Sequence, residues 1–141
     1  MRMAEARTCA AQLPKRPRVF FEEWDDPLIS GIGWVSELIE IAGGIDIFAD
    51  RRHQGAAKDR IVRVEEVVAR APDLIIGSWC GKKFRPERVA VRPGFAQIPA
   101  VQLRDMYEIK SSLILQPGPA ALTDGLAELR TIVGRWVGLT V

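Results

Sequence analysis

The sequence predicts an α/β fold, in which a mostly parallel sheet lies between two layers of helices. Strand-like segments alternate with helical patterns along the chain, and strands joined through helices are expected to run parallel. The segment "DLIIGS" at 73–78 is an apolar run bounded by turn residues, as expected of a strand buried on both sides. With 141 residues, the chain is long enough for one domain with a substantial core.

The first half of the chain is expected to contain two helices around one strand. Apolar residues recur at helical spacing over 1–13, and two prolines in "LPKRP" end that pattern. Val19 and two phenylalanines indicate a strand over 18–22. A loop then leads to a helix over about 30–42, which the glycine pair 43–44 ends. The segment that follows is expected to be irregular.

The second half is expected to continue the alternation. A short helix is predicted over 64–70, followed by the strand at 73–78. Pro86 occupies a favoured first helical position, so a short helix is expected to begin near it. The segment "IPAVQL" at 98–103 is predicted to be the next strand. A long helix with a leucine-rich stripe is predicted over about 119–137.

Aromatic and charged residues follow each predicted strand. In parallel α/β sheets, ligands bind beyond the carboxyl ends of the strands. Trp24 and Asp25 follow the first predicted strand, Trp79 follows the second, and Asp105 and Tyr107 follow the third. This convergence predicts a binding surface at one edge of the sheet. The alternative is that these are three ordinary loops.

The acidic segment "EEWDD" at 22–26 is the densest cluster of carboxylates. A catalytic pair needs two carboxyl groups in one space, but successive strand residues point to opposite sides of a sheet. The segment also lacks the regular oxygen spacing of a calcium loop. A solvated acidic rim at the lip of a cleft is the favoured interpretation.

Cys80 lies in a loop between a strand and a helix, where Lys82 or Lys83 could activate a thiolate. A nucleophile also needs a base, and His53 is the only histidine. A Cys/His enzyme is therefore one hypothesis, and a small, partly buried cysteine is the plainer one. Cys9 and Cys80 together match no zinc spacing and no disulfide framework.

Composition argues against several other classes. The net charge of +2 is too small to indicate nucleic acid or an anionic membrane as the partner. No apolar run approaches the roughly 20 residues that cross a bilayer. The first residues contain no apolar segment of the kind found in secretory signals, so no signal peptide is expected in this chain.

Three segments together resemble one family: "RVFFEEWDDPLISGIGWVSELIEIAGGIDIFAD", "VRVEEVVARAPDLIIGS" and "IPAVQLRDMYE". They are similar to the C-terminal lobe of the periplasmic substrate-binding proteins of ABC importers for vitamin B12, haem and iron siderophores, and most similar to the cobalamin-binding branch. The resemblance implies a three-layer αβα lobe that is one half of a two-lobed fold. It also implies that 1–13 is a remnant of the inter-lobe helix and that 14–141 is the C-terminal substrate-binding lobe.

The resemblance implies roles for several residues. Asp105 matches a cleft aspartate, with Tyr107 beside it, and Trp24 and Trp34 belong to a loop expected to line the cleft. Flat indoles of this kind offer apolar surface to a macrocycle. Trp34 is alternatively a core residue of its helix. Glu65 matches a surface glutamate that docks on the permease, although it could equally be an ordinary acid at a helix start.

The function implied is binding without chemistry, and therefore without a catalytic cofactor or a resident metal. The expected ligand is cobalamin, haem or a ferric siderophore, the expected partner is the permease of an ABC importer, and the expected compartment is the periplasm. An isolated lobe exposes its cleft, so a homodimer through that surface is also expected. Two alternatives stay open: a Cys80-dependent enzyme, and an interaction domain without a small ligand.

Overall fold

A computed structural model describes residues 3–11, 13, 15–54, 56–116 and 118–138. Short 3₁₀ turns lie at 49–51, 57–60 and 95–97, and a π turn lies at 121–125. The helices and strands, in chain order, are α1 Met3–Ala11, β1 Arg18–Asp25, β2 Leu28–Ser30, α2 Gly33–Ala42, β3 Ile45–Asp46, α3 Val64–Arg70, β4 Leu74–Gly77, α4 Pro86–Ala90, α5 Pro99–Gln102, β5 Met106–Glu108, α6 Ser111–Ile114 and α7 Leu126–Val137.

The sheet has the strand order β2-β1-β4-β5, and the short β3 also pairs with β1. Strands β3 and β4 run parallel to β1, and β5 runs parallel to β4. Among the strands of the described residues, β2 alone is antiparallel to its neighbour, and it returns from the end of β1 through a tight turn. The predicted mostly parallel α/β sheet is therefore confirmed.

Helices cover both sides of the sheet. Alternate residues of β1 point in opposite directions: Val19 and Phe21 belong to one core, and Phe20 belongs to the other. The first core is closed by α2 and α7, and the second by the segment from α3 to α5. Strands β1 and β4 contribute buried residues to both cores, which explains why their sequences are continuous apolar runs.

The helix predictions are largely confirmed. Helices α2 and α3 lie where the pattern predicts them, and α7 with the π turn before it fills most of the predicted helix at 119–137. Helix α1 accounts for most of the predicted helix at 1–13, although residues 1, 2 and 12 lie outside the described part of the chain. In the described segments, the helices are too short or too polar to span a bilayer.

The predicted strand at 98–103 is wrong. Ile98 and Ala100 are buried, so the segment shows the period-two pattern of a strand. Pro99, however, occupies the first turn of a helix, and the segment forms the single turn α5. The strand that pairs with β4 is β5, which begins at Met106, beyond the end of the predicted strand.

Arg104 explains how the chain reaches β5. Its φ of 57° is left-handed, which is uncommon for a residue other than glycine. The chain therefore turns between α5 and β5, and Leu103, which lies at this turn, is 69% exposed. As a result, the carboxyl end of the third parallel strand lies at Glu108, whereas the predicted strand ended at 103.

Strand β1 is longer than predicted, since it continues past residue 22 to Asp25. Its last residues pair with β2, with Trp24 opposite Ile29 and Asp25 opposite Leu28. The predicted loop after β1 therefore contains a hairpin. The register of this pairing shifts between Glu22 and Trp24, as at a β-bulge, and the pairing beyond it holds Trp24 and Asp25 at the carboxyl edge of the sheet.

Candidate ligand-binding site

A depression of about 530 Å³ lies at the carboxyl ends of β4 and β5. The loop 78–84 forms one side of it, and the loop 109–112 forms the other. Its described lining residues are Trp79, Gly81, Lys82, Lys83, Glu108, Ile109, Lys110, Ser111 and Ser112. This is the edge at which parallel α/β sheets bind their ligands.

Lys82 connects the depression to the end of β1. Its ammonium nitrogen lies 4.4 Å from the centroid of the Trp24 ring and 5.0 Å from that of Trp79. The same nitrogen lies 2.7 Å from Oδ1 of Asp25. Burial raises the pKa of the Asp25 carboxyl, but the Lys82 ammonium outweighs this effect and holds that pKa below its usual value.

Glu22 forms a buried polar cluster directly below this edge. Its side chain is fully buried, and it accepts two hydrogen bonds from the Arg92 guanidinium, at 2.8 and 3.0 Å. The indole N–H of Trp79 donates a third, at 2.9 Å. Burial raises the pKa of Glu22, and Arg92 and Trp79 oppose that rise. Glu22 thus supports the loop from beneath, and the expected solvated rim does not include it.

Glu23 is also committed to internal contacts. One carboxylate oxygen accepts the backbone N–H of Ile32 at 2.9 Å, and the other accepts Arg60 at 2.8 Å. Arg60 also donates to the carbonyl of Ser30, which lies in β2. These bonds fix the hairpin, so the predicted acidic rim is reduced to Asp25 and Asp26.

Trp79 is nearly enclosed, with 3% of its surface exposed. Its ring packs edge-on against Phe84, with the ring centroids 5.1 Å apart. Trp24 is half-buried, and its indole N–H donates to the carbonyl of Asp26 at 3.1 Å. Of the two indoles, Trp24 presents the larger surface to solvent, whereas Trp79 belongs to the floor of the depression.

The expectation that Asp105 and Tyr107 share this edge is wrong. Asp105 precedes β5, and therefore lies at the amino end of that strand. The Tyr107 hydroxyl donates to Asp105 at 3.2 Å, and its ring packs on the core between the sheet and α7. Burial, together with the Asp105 carboxylate, raises the pKa of Tyr107. The third strand lies later in the sequence than predicted, so neither residue follows its carboxyl end. The geometric argument for a ligand contact therefore no longer applies to them.

Trp34 lies in the first turn of α2 and does not line the depression. Its indole N–H donates to the carbonyl of Ile114 at 2.9 Å, and its ring packs against the core of α2 and α7. It also lines a separate apolar cavity of about 290 Å³ with Leu38 and Leu122. The core interpretation of Trp34 fits this placement better than the cleft interpretation.

Glu65 is exposed in the first turn of α3. Its neighbour Glu66 pairs with Arg51 at 2.6 Å and caps the helix through the backbone N–H of Arg63. Within the described ranges, Glu65 itself forms no ion pair. Its carboxylate is therefore available to solvent, as a docking residue requires.

Cys80 and His53 are both exposed, in loops after β4 and after the 49–51 turn respectively. The described residues contain no group of three or more His, Cys, Asp or Glu side chains that could hold a metal ion. Neither residue has a hydrogen bond that would orient it as a nucleophile or a base in the part of the chain the structure describes.

Sequence reasoning missed Lys82, Lys110 and Glu108 as members of the site. The signal for β5 is weak, because "MYE" at 106–108 is short, shows no clear apolar/polar alternation and follows the stronger strand-like pattern at 98–103. Glu108 is further fixed because its carboxylate accepts the backbone N–H of Phe84 at 2.9 Å. That bond joins the two loops around the depression.

An α/β lobe with an open, ligand-sized depression at the carboxyl edge of its sheet has the form of a binding module. Comparison with protein families agrees: the model described as "Periplasmic binding protein" matches residues 1–113. The chain therefore belongs to the periplasmic binding protein family. The family and its structural neighbours are solute-binding proteins without enzymatic activity. No curated protein matches the chain significantly.

Solved structures show the same fold. The periplasmic vitamin B12 binding protein BtuF of Vibrio cholerae is 22% identical, with a TM-score of 0.70 over 96% of this chain and 51% of that one. The periplasmic haem-binding protein RhuT of Roseiflexus sp. RS-1 is 25% identical, with a TM-score of 0.70 over 93% and 52%. A periplasmic binding protein of Veillonella parvula is 24% identical, with a TM-score of 0.74 over 99% and 48%. The chain thus spans about half the length of these proteins and has the fold of one lobe.

Proposed function

We propose that this chain is the ligand-binding lobe of an ABC-importer substrate-binding protein, and that it holds a metal-bearing nutrient without changing it chemically. The observation that carries the proposal is the depression at the carboxyl edge of the sheet, in a chain that belongs to the periplasmic binding protein family. Cobalamin, haem and a ferric siderophore are the candidate ligands, and the periplasm is the compartment in which the protein would work.

The ligand would lie against the surface formed by Trp24, Asp25, Trp79 and Lys82. The half-buried Trp24 ring supplies flat apolar area, and the loops 78–84 and 109–112 supply polar groups. This combination suits a large, flat or rounded ligand with polar groups at its edge.

A second lobe would provide the opposite wall of the cleft. In this proposal α1 is the end of the inter-lobe helix predicted at 1–13, and 14–141 forms the lobe. A closed pocket buries about 70–90% of a ligand's surface, so one lobe would bury about half of that and bind weakly. We therefore expect a second copy to dimerise through the cleft surface at high concentration. Light scattering would detect this, and a monomer throughout the concentration range would contradict it.

Tryptophan fluorescence tests ligand binding directly. Cyanocobalamin, haemin and ferric citrate are titrated in turn, and at least one is expected to quench the emission with a saturating curve. The W24F variant should lose most of the quenching, whereas W136F should retain it, because Trp136 packs against the α7 core on the other side of the sheet. Saturable quenching by none of the three would favour an interaction domain without a small ligand.

Permease docking is proposed for Glu65. E65Q should leave ligand binding and stability unchanged, because the side chain is exposed at a helix start. It should reduce the ability of the ligand-loaded protein to stimulate ATP hydrolysis by its importer in proteoliposomes. The matched control is E128Q, an exposed acid on α7. Equal stimulation by E65Q and E128Q would remove Glu65 from the interface.

A further inference from the structure

We infer that Lys82 is an anchor for an anionic group and that the ligand is therefore a negatively charged metal chelate. This inference rests on the proposed function and narrows it. Three features carry it: how Lys82 is held, the charge around it, and the rigidity of its loop.

Lys82 is held by its neighbours in a restricted position. Two indole rings lie within 5.0 Å of its ammonium, and Asp25 lies 2.7 Å from it. Cation–π contacts and an ion pair together restrain a side chain that is normally mobile. The side chain of Lys82 is still 38% exposed, whereas that of Asp25 is 17% exposed. The cation is therefore the accessible member of the group.

The charge around Lys82 is positive. Lys83 and Lys110 also line the depression, where the described lining residues include one acid, Glu108. Counting Asp25 as well, three cations stand against two carboxylates, which leaves a net charge of +1. Glu108 is already engaged by the backbone N–H of Phe84, and Asp25 by Lys82. The two carboxylates do not balance all of the positive charge of the three lysines, so an incoming carboxylate would be attracted to the depression.

The loop that carries Lys82 is fixed at both ends. At its start, Trp79 donates to the buried Glu22, which Arg92 holds in place. At its end, the backbone N–H of Phe84 donates to Glu108 on β5. A cation on a fixed loop loses little conformational entropy when it binds, which favours specific recognition of an anion.

The candidate ligands differ in the charge of their outer groups. Haem carries two propionates, and citrate-type ferric chelates carry free carboxylates. Cyanocobalamin is surrounded mainly by amides, and ferrichrome is a neutral hydroxamate chelate. A restrained ammonium discriminates in favour of the carboxylate-bearing pair, because a neutral amide would not repay the desolvation of the charge.

The test uses four probes and three variants of the chain. Haemin and ferric citrate are the anionic probes, and cyanocobalamin and ferrichrome are the neutral ones. Binding is measured by tryptophan fluorescence at low and high salt. The variants are K82Q, the charge-retaining K82R, and K58Q, which removes an exposed lysine of the 57–60 turn as a matched control.

One anionic probe is expected to bind most tightly and to weaken as salt rises. K82Q should weaken it about tenfold, while K82R and K58Q stay within about threefold of the unmodified chain. Tightest binding by a neutral probe, or an unchanged affinity for the anionic probe in K82Q, would overturn the inference and leave the proposed function standing. Binding of none of the four would overturn both.

Discussion

Replacing Arg92 with methionine should strongly destabilise the protein, because it leaves a charge buried without a partner. Glu22 is 0% exposed, and Arg92 supplies two of its three hydrogen bonds. Removing one member of a buried ion pair typically costs about 3–5 kcal/mol. Methionine keeps most of the aliphatic packing of Arg92 against Phe95, so the lost ion pair should dominate the change. We expect R92M to lose about 3 kcal/mol, out of a typical total of about 5–15 kcal/mol.

The comparison with Glu22 variants separates charge from packing. E22Q removes the buried charge and leaves Arg92, 13% of whose side chain is exposed, able to reach water. E22Q should lower the free energy of unfolding by about 1–2 kcal/mol. The double variant R92M/E22Q should be more stable than R92M alone, because the unpaired carboxylate is gone. Urea unfolding followed by circular dichroism gives all three free energies.

The loss of stability in R92M should depend on pH, in a direction set by the pKa of Glu22. Burial raises the pKa of Glu22 above its ordinary value of 4.5, and loss of Arg92 should raise it further. A carboxyl with a raised pKa in the folded state contributes stability below its unfolded pKa, and this is lost as pH rises through the folded pKa. R92M should therefore lose more stability at pH 8 than at pH 5. An R92M variant within about 0.5 kcal/mol of the unmodified chain, or a double variant that simply adds the two losses, would refute this reasoning.

Three further changes test the site and its support. G77A should lower the free energy of unfolding by about 1–3 kcal/mol in urea, because a Cβ there would overlap the Phe84 ring. In the control G81A the new Cβ has open space around it, so only the left-handed φ of 79° should reduce stability. C80S should leave the affinity for the tightest probe unchanged, and a loss of ligand turnover in C80S would instead support the enzyme hypothesis. Y107F should leave that affinity unchanged in a fluorescence titration, because the Tyr107 hydroxyl donates to Asp105 at the amino end of β5. A tenfold loss of affinity would indicate that Tyr107 contacts the ligand.

The sequence was most informative where burial is complete. Strands β1 and β4 are covered on both sides, so their apolar runs identify them without further context. Helices α2 and α3 carry clear stripes and clear ends, such as the left-handed Gly43 after α2. These elements were enough to predict the fold.

The sequence was least informative at the edge strands. Strand β5 has three residues and is only partly buried, so its pattern is weaker than that of the neighbouring segment 98–103. That segment is buried by packing of one helical turn, a tertiary effect that local periodicity does not distinguish from a strand. The error moved the predicted site from 108–112 to Asp105 and Tyr107. Lys82 was noticed only as a neighbour of Cys80, because its contacts with Trp24 and Asp25 join distant parts of the chain.

Paramagnetic broadening in NMR spectra can show where on the chain a ligand binds. A ferric chelate broadens amide signals close to the metal, so the tightest ferric probe should mark its own position on the chain. We expect selective loss of signals from the end of β1 and from the loops 78–84 and 109–112. Broadening centred on Asp105 and Tyr107, or on the apolar cavity beside Trp34, would contradict it.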